Sequence, residues 1–203
     1  MVTHPNITKE RKKRFSFSLK LGAPVQLHID VSSINPIWNT VAGGDSTPAV
    51  KGSSGYGTYP GGKQPKYLFD NNITTVFSSR GNSEAGANNA DAGKNTGFYV
   101  STIGCQVVLT AFQLYPDPDK ARRDPLTITI EGSNSNDLTK GDNWHLLYNG
   151  PAGLNSTNRI EGTLLSINNS ASYLSYRFLV KEIRGVVSDF ASYSEVKLYG
   201  YYT

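Results

Sequence analysis

The chain has 203 residues, 37% of them hydrophobic and 18% charged, which supports one sizeable core more readily than two small ones. No apolar run is long enough to cross a bilayer as a helix, and the single cysteine, Cys105, excludes an internal disulfide. The net charge is +4 and the isoelectric point near 9.1.

Part of that charge comes from the run Lys9-Glu10-Arg11-Lys12-Lys13-Arg14. It lacks the interleaved aromatics and helical frame of a nucleic-acid site, so nucleic acid is not an expected partner. What remains is a solvated lead-in, or a contact with an acidic partner or an anionic membrane surface. Met1 to Thr8 carry no apolar secretory core, so a leader has been removed or export follows another route.

Phe15-Ser16-Phe17-Ser18-Leu19-Lys20-Leu21 alternates strictly, and the alternation resumes in Val25-Gln26-Leu27-His28-Ile29-Asp30-Val31. Period two predicts two half-buried strands joined by a short turn. A lone hairpin is marginal in water, so residues 1–24 are expected to lean on the main sheet or on a neighbouring subunit. A strand added to another chain's sheet edge would make this arm the contact of a homo-oligomer or larger assembly.

From Thr40 to Lys63 the composition is that of a loop. Trp38, Tyr56 and Tyr59 lie in or beside it, and such amphipathic rings suit either a sugar face or a lipid surface. Gly57-Thr58-Tyr59-Pro60-Gly61-Gly62-Lys63-Gln64 approaches a phosphate-binding loop. It fails because Gln64 replaces the metal-binding hydroxyl and no helix follows.

The segment Lys66 to Ser79 breaks an apolar run with Asp70-Asn71-Asn72 and adds the Thr75 hydroxyl five positions after the aspartate. A curled loop rich in oxygens suits a hard cation such as Ca2+, which takes six to eight of them, many from backbone. Glu195, in an alternating terminal strand, is the second carboxylate to recruit. The alternative is an ion-free loop held by hydrogen bonds. A second polar stretch, Gly81 to Asn95, is long enough to be functional or disordered.

Short strands follow at Phe98–Ile103, Cys105–Tyr115, Leu126–Glu131, Trp144–Tyr148, Gly162–Ile167, Tyr173–Glu182 and Tyr193–Tyr202, with no convincing helix. This predicts an all-β sandwich, with Trp144, Phe77 and Cys105 in its core. In Tyr115 to Pro125, Arg123 and Asp124 are expected to fix the turn, whereas Asp117, Asp119 and Arg122 offer paired acceptors and a fork of donors to vicinal sugar hydroxyls. Sequons stand at Asn6, Asn72, Asn155 and Asn168. His4, His28 and His145 show no zinc spacing, no nucleophile elbow occurs, and Cys105 has no histidine nearby. The chain is therefore read as non-catalytic.

Five blocks in order, Phe69-Asp70-Asn71-Asn72 with Thr75 and Phe77, Arg123-Asp124-Pro125 through Glu131-Gly132-Ser133-Asn134, Trp144 to Leu147, Ser175-Tyr176-Arg177-Phe178 and Ser194 to Gly200, resemble the discoidin-like domains. These include the C-type domains of coagulation factors V and VIII and many bacterial carbohydrate-binding modules. The resemblance covers residues 34–203 and implies an eight-stranded jelly roll of the galactose-binding-like fold, with residues 1–33 as a basic arm and N-terminal strand extension. Asn71 stands where the family has glycine, and Phe77 where it has tryptophan.

The resemblance also implies a Ca2+ set: the backbone carbonyls of Tyr67, Asn72 and Ser194, the carboxylates of Asp70 and Glu195, and Thr75. Its functional implication is a lectin-like, extracellular or surface-exposed recognition module for glycan or glycoprotein. A structural or adhesive assembly subunit and an anionic phospholipid binder are the alternatives.

Overall fold

A computed structural model describes residues 23–82, 91–155, 159–185 and 188–203. The basic run, the strand expected at 15–21 and most of the arm assigned to assembly lie outside the described residues. The strands are β1 (Val25–Gln26), β2 (Asn35–Trp38), β3 (Thr47–Pro48), β4 (Val50–Lys51), β5 (Thr58–Tyr59), β6 (Phe77–Ser79) and β7 (Thr96–Ser101). They continue as β8 (Val107–Pro116), β9 (Pro125–Ser133), β10 (His145–Pro151), β11 (Leu165–Ser166), β12 (Ser175–Ile183) and β13 (Ala191–Tyr202). Among the described residues the only helical segments are short 3-10 turns, at Val31–Ser33, Pro65–Phe69, Ala121–Arg123 and Gly141–Asn143. None is long and apolar enough to cross a membrane.

Two antiparallel sheets face each other. One has the order β1-β13-β8-β11, with β6 also on β13; the other runs β10-β9-β12-β7-β2-β3. The longer strands, of three or more residues, are β2, β6, β7, β8, β9, β10, β12 and β13, with β1, β3 and β11 as short additions to the two sheets, and the result is the all-β sandwich expected. Alternation builds its interior: Ile128 and Ile130 on β9, Phe178 and Val180 on β12, and Phe112 and Leu114 on β8 turn inward. Phe98 and Phe178 stack with centroids 5.1 Å apart. The described part of the N-terminal extension, residues 23–33, belongs to the same body, because β1 pairs with β13 and Leu27 and Ile29 are buried in the core.

Two expectations about the core fail. Trp144 is buried but is not part of the inter-sheet cluster. It covers the outer face of the second sheet, with the Arg177 guanidinium 4.6 Å from its ring centroid and its Nε1 donating to the Leu138 carbonyl at 3.2 Å. An indole with one polar edge is better placed where that edge finds a partner. Cys105 is only half-buried, because it lies in the turn before β8, not in the strand.

The strands bring one set of loops to a common end. The close of β2, β6, β8 and β12 and the start of β7, β9 and β13 meet there, as the pairs Ile37 with Gly97, Ala191 with Ser79, Tyr193 with Pro116 and Ile183 with Pro125 require.

Candidate functional site

The Asp70 loop is anchored on both sides by the core. Leu68 is fully buried and Phe69 meets Phe98 edge-on at 5.8 Å. Past the loop, Phe77 is fully buried and meets Tyr193 in the same way at 5.8 Å. Between these anchors Asp70 is exposed and Asn71 adopts φ 58°, a left-handed conformation that asparagine tolerates better than other non-glycine residues. The Asp70 carboxylate accepts from the Asn72 N–H at 2.9 Å.

Thr75 Oγ1 lies 3.1 and 2.9 Å from the two Asp70 oxygens and 2.8 Å from the Asn72 carbonyl. One hydroxyl proton cannot serve three acceptors at once. The Asn72 carbonyl is also served by the Thr75 N–H at 3.2 Å and one Asp70 oxygen by the Asn72 N–H, so the hydroxyl proton is left for the other Asp70 oxygen and the loop holds itself closed by hydrogen bonds.

Glu195 adds another. The pairing of β13 with β8 shifts register between Tyr193 and Glu195, the kind of irregularity that re-aims a side chain. Ser194 is buried, its Oγ donating to the Pro116 carbonyl at 2.9 Å. Glu195 is 2% exposed, and its Oε2 has no hydrogen-bond partner. Burial, then the negative charge of Asp70, pushes the Glu195 carboxyl up to about 7, although the backbone N–H groups of Asn71 and Asn72 favour its charged form. Asp70 and Glu195 thus come together from the first half and the last strand of the sequence.

Two mutually repelling carboxylates, one of them with a buried unpartnered oxygen, beside loop carbonyls and a hydroxyl are a donor set a hard cation would complete. Among the described residues no cluster of three or more His, Cys, Asp or Glu side chains occurs, so an ion here would draw most of its oxygens from backbone and hydroxyl. Asp70, Glu195 and Thr75 have the chemistry for this, together with the carbonyls of Tyr67, Asn72 and Ser194.

The loop-bearing end carries a different chemistry. Trp38 at the end of β2 is half-buried, and the Gly57 backbone lies on its indole: a Cβ at Gly57 would fall 2.2 Å from the ring, and its φ is +60°. Only glycine fits there. Tyr56 next to it is half exposed. Gly57 N donates to the Gly81 carbonyl at 3.2 Å, which ties the turn lying on Trp38 to the backbone just before Asn82. Tyr59 turns the other way, packing against the core with its ring 6.4 Å from Phe77.

Beside this group is a cavity of about 280 Å³ lined by Asn39, Asn82, Asp91, Lys94 and Asn95. Lys94 and Asp91 pair at 3.3 Å across its wall. Asn39 and Asn95 adopt φ 47° and 54°, and Asn95 is locked in place by its N–H to the Val180 carbonyl and its carbonyl to the Thr40 N–H. Amide, carboxylate and ammonium groups around a space of this size can donate to and accept from hydroxyls in several directions. Sequence reasoning did not single out these five residues; the asparagine-rich stretch ending at Asn95 was the available signal.

Across the same end lies the loop of the remaining candidates. Asp117 is buried, its carboxylate accepting from the N–H groups of Asp119 and Lys120 at 2.9 and 3.1 Å. Asp119 and Arg122 are exposed on the rim. Arg123 pairs with Asp189 at 2.6 Å rather than with its neighbour Asp124, which instead receives Arg159 and lies 3.7 Å from Arg184. Arg80 and Arg123 both approach the Phe190 ring, 4.4 and 5.0 Å from its centroid. These contacts tie the two flanks of the rim together.

No family model matches the chain, and no curated protein matches it in sequence. Solved structures do match its fold. It superposes on a CBM32 domain from a family 31 glycoside hydrolase of Clostridium perfringens with a TM-score of 0.57 at 16% identity, over 86% of this chain and 94% of that one. The family 32 module of NanJ from the same organism, solved with galactose, gives 0.54 at 13% identity, over 86% and 99%. A third, CpGH89CBM32-5 with GalNAc-β-1,3-galactose, gives 0.51 at 14% identity, over 86% and 99%. The chain has the discoidin-like, galactose-binding-like fold that the sequence blocks implied.

Proposed function

We propose that this protein is a non-catalytic glycan-binding module, presented outside the cell or at a surface. Its sugar-holding pocket is the loop-end cavity of Asn39, Asn82, Asp91, Lys94 and Asn95. The observation that carries this reading is that amide-rich cavity, whose Asn39 directly follows Trp38 in the chain, at one end of a sandwich whose solved relatives in fold are carbohydrate-binding modules, two of them holding galactose-containing sugars. Paired donors and acceptors fix hydroxyl positions, and a nearby ring offers an apolar face for sugar C–H groups.

In the same reading Asp70, Glu195 and Thr75 hold a Ca2+ ion with the backbone carbonyls of Tyr67, Asn72 and Ser194. The ion contributes charge neutralisation: it relieves the repulsion at Glu195 and stiffens the loop between its two aromatic anchors. Two carboxylates in such a site suit an affinity of about 10⁻⁴ M.

Both parts are testable. On a glycan array the purified chain is expected to bind neutral sugars above background, and Asn82→Ala to weaken the strongest hit roughly tenfold, the worth of about one hydrogen bond. An array without hits would reject the glycan reading. Millimolar calcium is expected to raise the melting temperature by about 5–10 °C over chelator; superimposable melting curves would reject the ion.

A further inference from the structure

A second cleft adjoins the loop-end cavity. It has a volume of about 260 Å³ and lies over the outer face of the second sheet. Its floor is one cross-strand row, Asn149 on β10 opposite Thr129 on β9 opposite Leu179 on β12. Ile128, Ile130, Phe178 and Val180 turn to the core, so the residues between them face out. Thr40, Val41 and Ala42 form the wall on one side, and Lys181, whose Nζ donates to the Asn149 side-chain oxygen at 3.0 Å, lies on the other.

The wall is held rigidly. Gly43 N donates to the Glu131 carboxylate at 2.8 Å, Arg177 donates to the Gly44 carbonyl at 2.9 Å, and Thr40 N donates to the Asn95 carbonyl at 3.0 Å.

Three observations distinguish this cleft from an incidental surface dip. The Thr129 hydroxyl at its floor is buried and has no hydrogen-bond partner, which is uncommon for a buried polar group in a native sheet. Val41 is 56% exposed at its rim, an aliphatic face beside the polar Asn149 and Lys181, which is the mixed surface that a sugar ring with apolar and hydroxylated sides requires. The cleft also shares Asn95 with the loop-end cavity. Each space alone falls below the usual range of about 300–1,000 Å³ for ligand sites, and the two together fall within it.

We infer that the cleft over Thr129 is a second sugar subsite, so that the module takes a neutral oligosaccharide of at least two residues. One residue sits in the loop-end cavity, and the next passes Asn95 to lie between Val41–Ala42 and Asn149–Lys181. This inference rests on the glycan reading of the first cavity.

The experiment is calorimetric titration with the strongest array hit as a monosaccharide and as its di- or trisaccharide, using the wild-type chain, Ala42→Trp, and the double variant Asn149→Ala/Lys181→Met. Ala42, Asn149 and Lys181 are exposed, so these variants leave the core intact. The wild type is expected to bind the longer sugar at least tenfold more tightly. Both variants should remove that gain while leaving monosaccharide affinity within twofold. Equal affinity for short and long sugars, or variants that leave the gain in place, would overturn the subsite while leaving the glycan reading standing. No binding by any sugar would overturn the glycan reading and the subsite with it.

Discussion

Glu131 and Glu195 are both almost completely buried glutamates on long strands, yet their surroundings are opposite. Glu131 accepts from Arg177 Nε at 2.7 Å and from the Gly43 N–H at 2.8 Å. The same guanidinium serves the Gly44 carbonyl and Ser46 and stacks on Trp144. Glu195 faces another carboxylate and keeps an oxygen without a partner. A buried charge that brings its own counter-ion makes the fold self-sufficient, while one that faces a like charge leaves a place for something from outside.

The largest effect expected from breaking this contrast is at Arg177. Arg177→Met leaves the Glu131 charge uncompensated in a buried site, and urea unfolding should show a loss of about 3–5 kcal/mol. Addition of calcium should not recover it.

Glu195→Gln works in the opposite direction. The folded-state value of about 7 lies above the ordinary 4.5, so the ion-free native state binds more protons than the unfolded chain between these values, and its stability falls as pH rises from about 4.5 through 7. The span corresponds to at most about 3 kcal/mol. In chelator at pH 8 the glutamine variant should therefore be the more stable protein, and its melting temperature should neither fall across that pH window nor respond to calcium. A wild type whose ion-free stability rises over pH 5–8 would contradict the picture of Glu195.

Trp144→Leu should cost about 1–2 kcal/mol, through the lost cation–π contact and the lost bond to the Leu138 carbonyl. Its loss should shrink when combined with Arg177→Met in a double-mutant cycle, because the two residues act on each other. The smallest effect sharpens the other half of the comparison. Asp70→Asn removes the second cause of the Glu195 shift but not the first, which is burial. The pH-dependent loss in chelator should then shrink by about 1 kcal/mol or less, while the calcium response disappears.

Both halves were unequally legible in the chain. Asp70 and Glu195 stand in motifs with recognisable local patterns, an oxygen-rich turn and an alternating terminal strand. Their meeting was implied by the resemblance to discoidin-like domains, not by the strand pattern. Glu131 and Arg177 lie in equally regular strands, but alternation does not tell which face is covered by a distant loop. The same blindness misplaced Trp144, whose apolar character suits either side of a sheet. At the loop end, Trp38 and Tyr56 stood out as aromatics in loop composition. Asn39, Asn82, Asp91, Lys94 and Asn95 did not, because polar residues in a loop carry no local mark of which ones will surround a common space.

Period-two alternation and turn chemistry by themselves determined that this chain is a β-sandwich with an oxygen-rich turn near its first third. These are local properties, imposed by steric limits on neighbouring residues and by the need to bury one face of each strand. Tertiary structure alone decided which buried glutamate would be neutralised, which tryptophan would leave the core, and which asparagines would line a cavity. Each of those outcomes depends on groups far apart in the chain arriving within a few ångströms of one another, and pairwise electrostatics and packing act over that distance rather than along the sequence.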